Sequence, residues 1–134
     1  MLSVTIAPVL MLLLTAPLAG CLEDDVGVRC ELKLADPEKP TTSYNFQALD
    51  CESRLCLSFK EGAAGPRCTI PCESDDDCPS DEVSGCKKFV CRVGLLTGTN
   101  KCCKFCVCRV DAGDTDEDAK TCAQQGISPQ CPNI

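Results

Sequence analysis

The chain has 134 residues, a net charge of −7, no histidine and 15 cysteines. Without histidine it lacks the commonest general base and any imidazole metal ligand, and its acidic composition disfavours nucleic acid and anionic lipid as partners. Leu, Ile, Val and Phe make up only about a fifth of residues 21–134, too little for a self-supporting core. Cysteine, at about 11% of the chain, exceeds the ~8–10% typical of disulfide scaffolds. We therefore predict a protein that is not an enzyme and is held together by disulfide bonds.

The first 21 residues are typical of a lipoprotein signal peptide. Residues 1–20 carry no charge, and Val4–Leu14 is apolar over a length that suits export but is too short to span a membrane. The following Leu18-Ala19-Gly20-Cys21 resembles the lipobox of bacterial lipoproteins. The resemblance implies cleavage before Cys21 and attachment of diacylglycerol and a palmitate-type acyl chain to that residue. Leu22 favours the outer membrane or cell surface over the inner membrane, by the sorting rule of enteric bacteria.

Ordinary secretion and an uncleaved segment are the alternatives to lipidation. The odd number of cysteines favours the lipid anchor, because setting Cys21 aside leaves an even number and allows seven disulfide bonds. The fourteen predicted disulfide cysteines are Cys30, Cys51, Cys56, Cys68, Cys72, Cys78, Cys86, Cys91, Cys102, Cys103, Cys106, Cys108, Cys122 and Cys131. Spacing does not assign their partners.

Changes in composition divide the chain into three segments. Residues 1–20 are the predicted signal peptide, residues 21–42 a charged, proline-containing lipidated tether, and residues 43–134 a cysteine-rich domain. Within the tether, polar and apolar residues alternate over Arg29–Leu34, which favours a short strand.

The cysteine-rich domain is predicted to be small, irregular and β-rich. Leu55–Phe59 favours a strand, and Lys87–Leu96 with Lys101–Val110 favour an antiparallel hairpin about the turn Thr97–Asn100. That turn places Cys91 opposite Cys106, within Cα reach of a disulfide bond. The alternative keeps the hairpin and bonds each of these two cysteines to the loops around residues 68–78.

One short helix is predicted over Thr115–Gln125. Thr115 is the expected N-cap, the acidic residues after it favour the positive end of the helix dipole, and Cys122 could tie the helix to the domain. Asp114, Asp116 and Asp118 also copy the first half of an EF-hand loop. The glycine and the glutamate that the loop requires further on are absent, so we predict no EF-hand.

Residues 51–79 resemble a module found in cysteine-rich lipoproteins of myxobacterial-type bacteria. The shared pattern is C-x-S-x-x-C-L, here Cys51–Leu57, then C-T-x-x-C-x-x-D-x-D-C-P, here Cys68–Pro79. The resemblance implies an envelope location and no particular activity. A fainter similarity, at Asp75–Pro79 and Lys101–Cys103, is to whey-acidic-protein modules, which are small protease inhibitors; intervening cysteines break that family's spacing.

The densest cysteine cluster comprises Cys102, Cys103, Cys106 and Cys108. Thiolates at these spacings could bind Zn²⁺ or Cu⁺, and Cys103 with Cys106 has the C-x-x-C form of a redox pair. Structural disulfide bonds are the preferred interpretation, because export leads to an oxidising compartment. In a strand, Cys106 and Cys108 share one face and Cys103 lies on the other. We predict no metal site and no cofactor.

These observations predict a non-catalytic cell-envelope lipoprotein with a binding or structural role. We predict that the protein associates with the membrane through the lipid on Cys21 and does not bind nucleic acid. The sequence does not say whether it binds a protein or a glycan. One alternative is a protease-inhibitor-like module, with Gly62–Arg67 as the inhibitory loop and Arg67 as the specificity residue. The other is a thiolate metal-binding protein, which a count of free thiols would distinguish.

Overall fold

The computed structural model describes residues 25–32, 42–60 and 62–132. It confirms a small, irregular, disulfide-rich and β-rich fold. The elements in chain order are β1 (Ser43–Asn45), β2 (Cys56–Ser58), β3 (Arg67–Cys68), a 3-10 turn (Asp75–Asp77), β4 (Phe89–Val93), β5 (Lys104–Cys108), α1 (Arg109–Ala112) and α2 (Glu117–Gln124). The predicted signal peptide and the lipidation residue Cys21 lie outside the described residues. Neither helix in the described part is long and apolar enough to cross a membrane.

The first sheet consists of three short antiparallel strands in the order β1-β2-β3. Residues 25–32 pack along its β3 edge, where Gly27 N donates to Cys68 O at 2.8 Å and Cys68 N donates to Val28 O at 2.8 Å. Val26 in this segment is only 1% exposed. Of the predicted strand Arg29–Leu34, an isolated bridge between Arg29 and Arg67 is present, and residues 33–34 lie outside the described ranges.

The second sheet is the predicted hairpin. β4 and β5 pair antiparallel in the predicted register, with Cys91 opposite Cys106 and Phe89 opposite Cys108. The strands are shorter than predicted, because Cys102 takes a left-handed backbone conformation (φ 60°) that ends strand geometry. The connection therefore runs from residue 94 to residue 103 instead of over four residues.

The predicted helix is present as α2, but its N-cap is Asp116 instead of Thr115. Asp116 Oδ1 accepts from Ala119 N at 2.9 Å, the interaction expected of an N-cap. The Cys102–Cys122 disulfide bond ties α2 to the base of the hairpin loop, as expected for Cys122. The single turn α1 was not predicted, because four residues are too few to show a helical period.

Seven disulfide bonds pair all fourteen predicted cysteines. The pairs are Cys30–Cys56, Cys51–Cys68, Cys72–Cys91, Cys78–Cys106, Cys86–Cys108, Cys102–Cys122 and Cys103–Cys131. The predicted Cys91–Cys106 bond is therefore wrong, and the alternative, in which both hairpin cysteines bond to the preceding loops, is correct.

The chain next to Cys72 explains why the cross-strand bond does not form. Residues 70–72 lie against the outer edge of β5, where Cys106 N donates to Ile70 O at 3.1 Å and Cys72 N donates to Lys104 O at 3.1 Å. This pairing brings Cys72 and Cys78 over the same face of the hairpin as Cys91 and Cys106. Cys72 then bonds to Cys91 and Cys78 bonds to Cys106.

A small apolar core joins the two sheets. Phe105, which is 0% exposed, packs with Leu55 and Leu57 near the first sheet and with Val90 and Val107 of the hairpin. Because this cluster spans both sheets, it fixes their relative position in addition to the covalent links.

Candidate functional site

The predicted cysteine cluster at residues 102–108 is divided among four disulfide bonds. Its members bond to Cys122, Cys131, Cys78 and Cys86, in chain order. Cys106 and Cys108 pack in one apolar cluster and Cys103 in another, so β5 is stapled on both faces as predicted. The cluster is neither a thiolate metal site nor a C-x-x-C redox pair, because its sulfurs bond to distant cysteines.

Sulfur atoms of neighbouring disulfide bonds do approach one another at two places. One group is Cys30, Cys51 and Cys68, and the other is Cys72, Cys78 and Cys106, with all Sγ atoms in each group within 4.8 Å. A thiolate, not a disulfide sulfur, is the strong metal ligand. In the bonded state these groups therefore serve as cross-link clusters within the core.

Two acidic residues of the 68–79 motif, Asp75 and Asp77, have structural partners. Asp75 Oδ1 accepts from the backbone N of Cys91 at 2.8 Å and from Arg92 Nη1 at 3.1 Å. Asp77 Oδ2 accepts from the backbone N of Ser74 at 2.8 Å and of Glu73 at 2.9 Å. These two hydrogen bonds, from Ser74 and then Glu73, lower the pKa of the Asp77 carboxyl from its usual value.

The three aspartates that copy half of an EF-hand point to three different places. Asp114 pairs with Arg109, which lowers the pKa of the Asp114 carboxyl, and Asp118 pairs with Lys60 at 2.9 Å. Asp116 caps α2 and its Oδ2 accepts from Val93 N at 3.1 Å. The three carboxylates therefore have separate structural partners.

Asp75 and Asp116 accept hydrogen bonds from two backbone N–H groups on the outer edge of β4. The N–H groups of Cys91 and Val93 point away from β5, and each donates to one of these carboxylates. An open strand edge is a template for unwanted pairing, and a charged cap blocks it. The sequence does not indicate this function, since nothing in a local acidic run shows which distant strand it will meet.

Removing the Asp75 cap should destabilise the hairpin. Asp75→Ala leaves the N–H of buried Cys91 without its acceptor, and we expect the free energy of unfolding to fall by about 1–3 kcal/mol. Guanidinium denaturation of the oxidised protein measures this change. Asp76→Ala is the matched control, because Asp76 is exposed and its neighbour Asp75 makes the edge contact; a loss below about 0.5 kcal/mol is expected there. Equal losses in both variants would contradict the capping role.

Arg67, the predicted protease-specificity residue, is buried. It is 7% exposed, and its Nη1 donates to Gly27 O at 2.7 Å. Burial, assisted by the nearby charge of Arg29, lowers the pKa of the Arg67 guanidinium from its usual value. The side chain cannot enter a protease cleft, so the prediction of Arg67 as the specificity residue of an inhibitory loop at Gly62–Arg67 is wrong. Pairing of β3 with both β2 and residues 25–32 is what encloses it.

Three cationic residues, Lys87, Lys88 and Arg109, line a surface groove of about 510 Å³ beside the hairpin. We call it the basic groove. It is lined by Gly85, Lys87, Lys88, Cys108, Arg109, Val110, Gly113 and Asp114. Its volume is within the range of small-molecule sites. A second open groove of about 680 Å³, beside β1, offers among its lining residues a carboxylate from Glu31 and a phenol from Tyr44, but no cation.

The chain matches no protein-family model, no curated protein and no solved structure.

Proposed function

We propose that this protein is a non-catalytic lipoprotein of the bacterial cell envelope, with a binding or structural role and a lipid anchor on Cys21. The observation that carries the proposal is the pairing of all fourteen cysteines from Cys30 to Cys131 in disulfide bonds. Such saturation is typical of exported proteins, because cytosolic reductants keep thiols reduced. The lipobox-like Leu18–Cys21 and the lipoprotein-like module at residues 51–79 support the same location.

We propose a non-catalytic role because the potentially reactive side chains form structural bonds. The sequence has no histidine, and the fourteen cysteines of the described residues are all in disulfide bonds. Asp75, Asp77 and Asp116 accept backbone hydrogen bonds, so these carboxyl groups hold loops and strands in place. A general acid or base needs a carboxyl that is free to exchange a proton with substrate. We therefore propose that the rigid domain presents a surface to a ligand.

Cys21→Ala tests the lipid anchor. The variant should accumulate as a precursor that keeps residues 1–20, because processing of a lipoprotein requires the lipidated cysteine. Intact mass of the membrane-fraction protein measures both changes: the wild type should lack residues 1–20 and carry acyl chains. Leu22→Ala, one residue beyond the lipobox, is the matched control and should be processed and lipidated. A Cys21→Ala protein that is cut and remains membrane-bound like the wild type would refute the anchor.

A further inference from the structure

We propose that the basic groove binds an extended acidic polypeptide segment of a partner protein. This inference names a partner class for the binding role proposed above and depends on that role. It rests on three properties of the groove: its charge, its rigidity and its exposed apolar residue.

The groove concentrates positive charge on an acidic protein. The whole chain has a net charge of −7, yet Lys87, Lys88 and Arg109 line this groove with Asp114 as the carboxylate among its lining residues. Lys87 and Lys88 are exposed and form no ion pair with any residue of the described ranges. Arg109 is held by Asp114, to which both Nε and Nη2 donate. Two lysines without an ion-pair partner in the described ranges and one arginine line the same groove, which favours a ligand with several carboxylates.

The walls of the groove are fixed before any ligand arrives. The Cys86–Cys108 disulfide bond joins them, since Lys87 and Lys88 directly follow Cys86 and Arg109 directly follows Cys108. A hydrogen bond of 2.9 Å from Arg109 N to Lys88 O adds a second link. Binding to a preformed groove avoids the entropic cost of ordering its walls.

The exposed apolar residue Val110 in the groove favours a peptide over a purely anionic ligand. Val110 is 72% exposed and lies beside the three cations. The open space at Gly85 and Gly113, where an added Cβ would meet no atom within 4 Å, leaves the groove clear of the protein's own side chains. A peptide can pair acidic side chains with the lysines while an apolar side chain covers Val110. Inorganic phosphate and uronic-acid chains carry the charge but have no such group.

Fluorescence anisotropy with a labelled peptide of alternating Glu and Leu tests the proposal on the oxidised, purified protein. The wild type should bind, with affinity that falls as salt rises, because exposed charge pairs are screened. Lys87→Glu/Lys88→Glu should weaken binding by about tenfold or more, since two attractive contacts become repulsive. Lys101→Glu/Lys120→Glu makes the same charge change outside the groove and should alter affinity less than about twofold. Disulfide mapping verifies that both variants keep the fold.

Several outcomes would overturn the inference. These are the absence of binding by the wild type, equal weakening in the two double variants, and binding of polygalacturonate or inorganic phosphate in place of the peptide. The assay does not depend on lipid, so its failure would leave the Cys21→Ala result intact. A failed Cys21→Ala test would likewise leave a positive peptide result intact.

Discussion

Reduction of the seven disulfide bonds is expected to convert the folded domain into a disordered chain. Each bond contributes about 2–4 kcal/mol, so the set together is comparable to or larger than the roughly 5–15 kcal/mol net stability of a typical domain. The small core centred on Phe105 cannot compensate, because the sequence carries too few large apolar residues.

Proton chemical-shift dispersion in excess dithiol reductant, without denaturant, measures this loss. The oxidised protein in the same buffer is the control and should keep dispersed signals. The thiol titre after reduction should reach fourteen groups in residues 25–132, and the unreduced protein should show none from these residues. Native-like dispersion that persists in reductant would show that the apolar core alone specifies the fold.

Phe105→Ala should be the most damaging single apolar substitution. Phe105 is 0% exposed, and its ring contacts the clusters that join the first sheet to the hairpin. We expect the free energy of unfolding of the oxidised protein to fall by about 3–5 kcal/mol, as for other buried phenylalanines cut to alanine. Guanidinium denaturation followed by circular dichroism measures the change.

The control for this substitution is Leu49→Ala. Leu49 is 84% exposed, so its truncation should cost less than about 0.5 kcal/mol. A loss below about 1 kcal/mol for Phe105→Ala would mean that the cross-links hold the sheets together without help from the core. The two experiments thus separate covalent from apolar contributions to the same fold.

Some of the acidic residues stabilise the fold through hydrogen bonds, in addition to keeping the protein soluble. Asp75 and Asp116 cap the outer edge of β4, and residues 70–72 cover the outer edge of β5. Thr69 adds a hydrogen bond of 2.6 Å from its Oγ1 to Cys106 O. The 68–79 motif is therefore a set of contacts to the hairpin that follows it.

Local features could be predicted from the sequence because their causes lie within a few residues. The hairpin register followed from the strand pattern and the position of the turn, and α2 followed from an acidic first turn and the glycine after it. The even number of cysteines after Cys21 predicted that all of them would be bonded. Alternation along β5 predicted which of its cysteines share a face.

The tertiary structure alone decided which groups meet across the chain. The disulfide partners are 17 to 28 residues apart, and the passage of residues 70–72 along β5 determines that Cys91 and Cys106 bond to the loop instead of to each other. Tertiary structure also decides the burial of Arg67, which residues 25–32 cover. It likewise forms the basic groove, which brings together residues that precede β4 and residues at and after the end of β5. Spacing in the sequence does not encode these distances, because they depend on how the loops cross the sheets once the small core has formed.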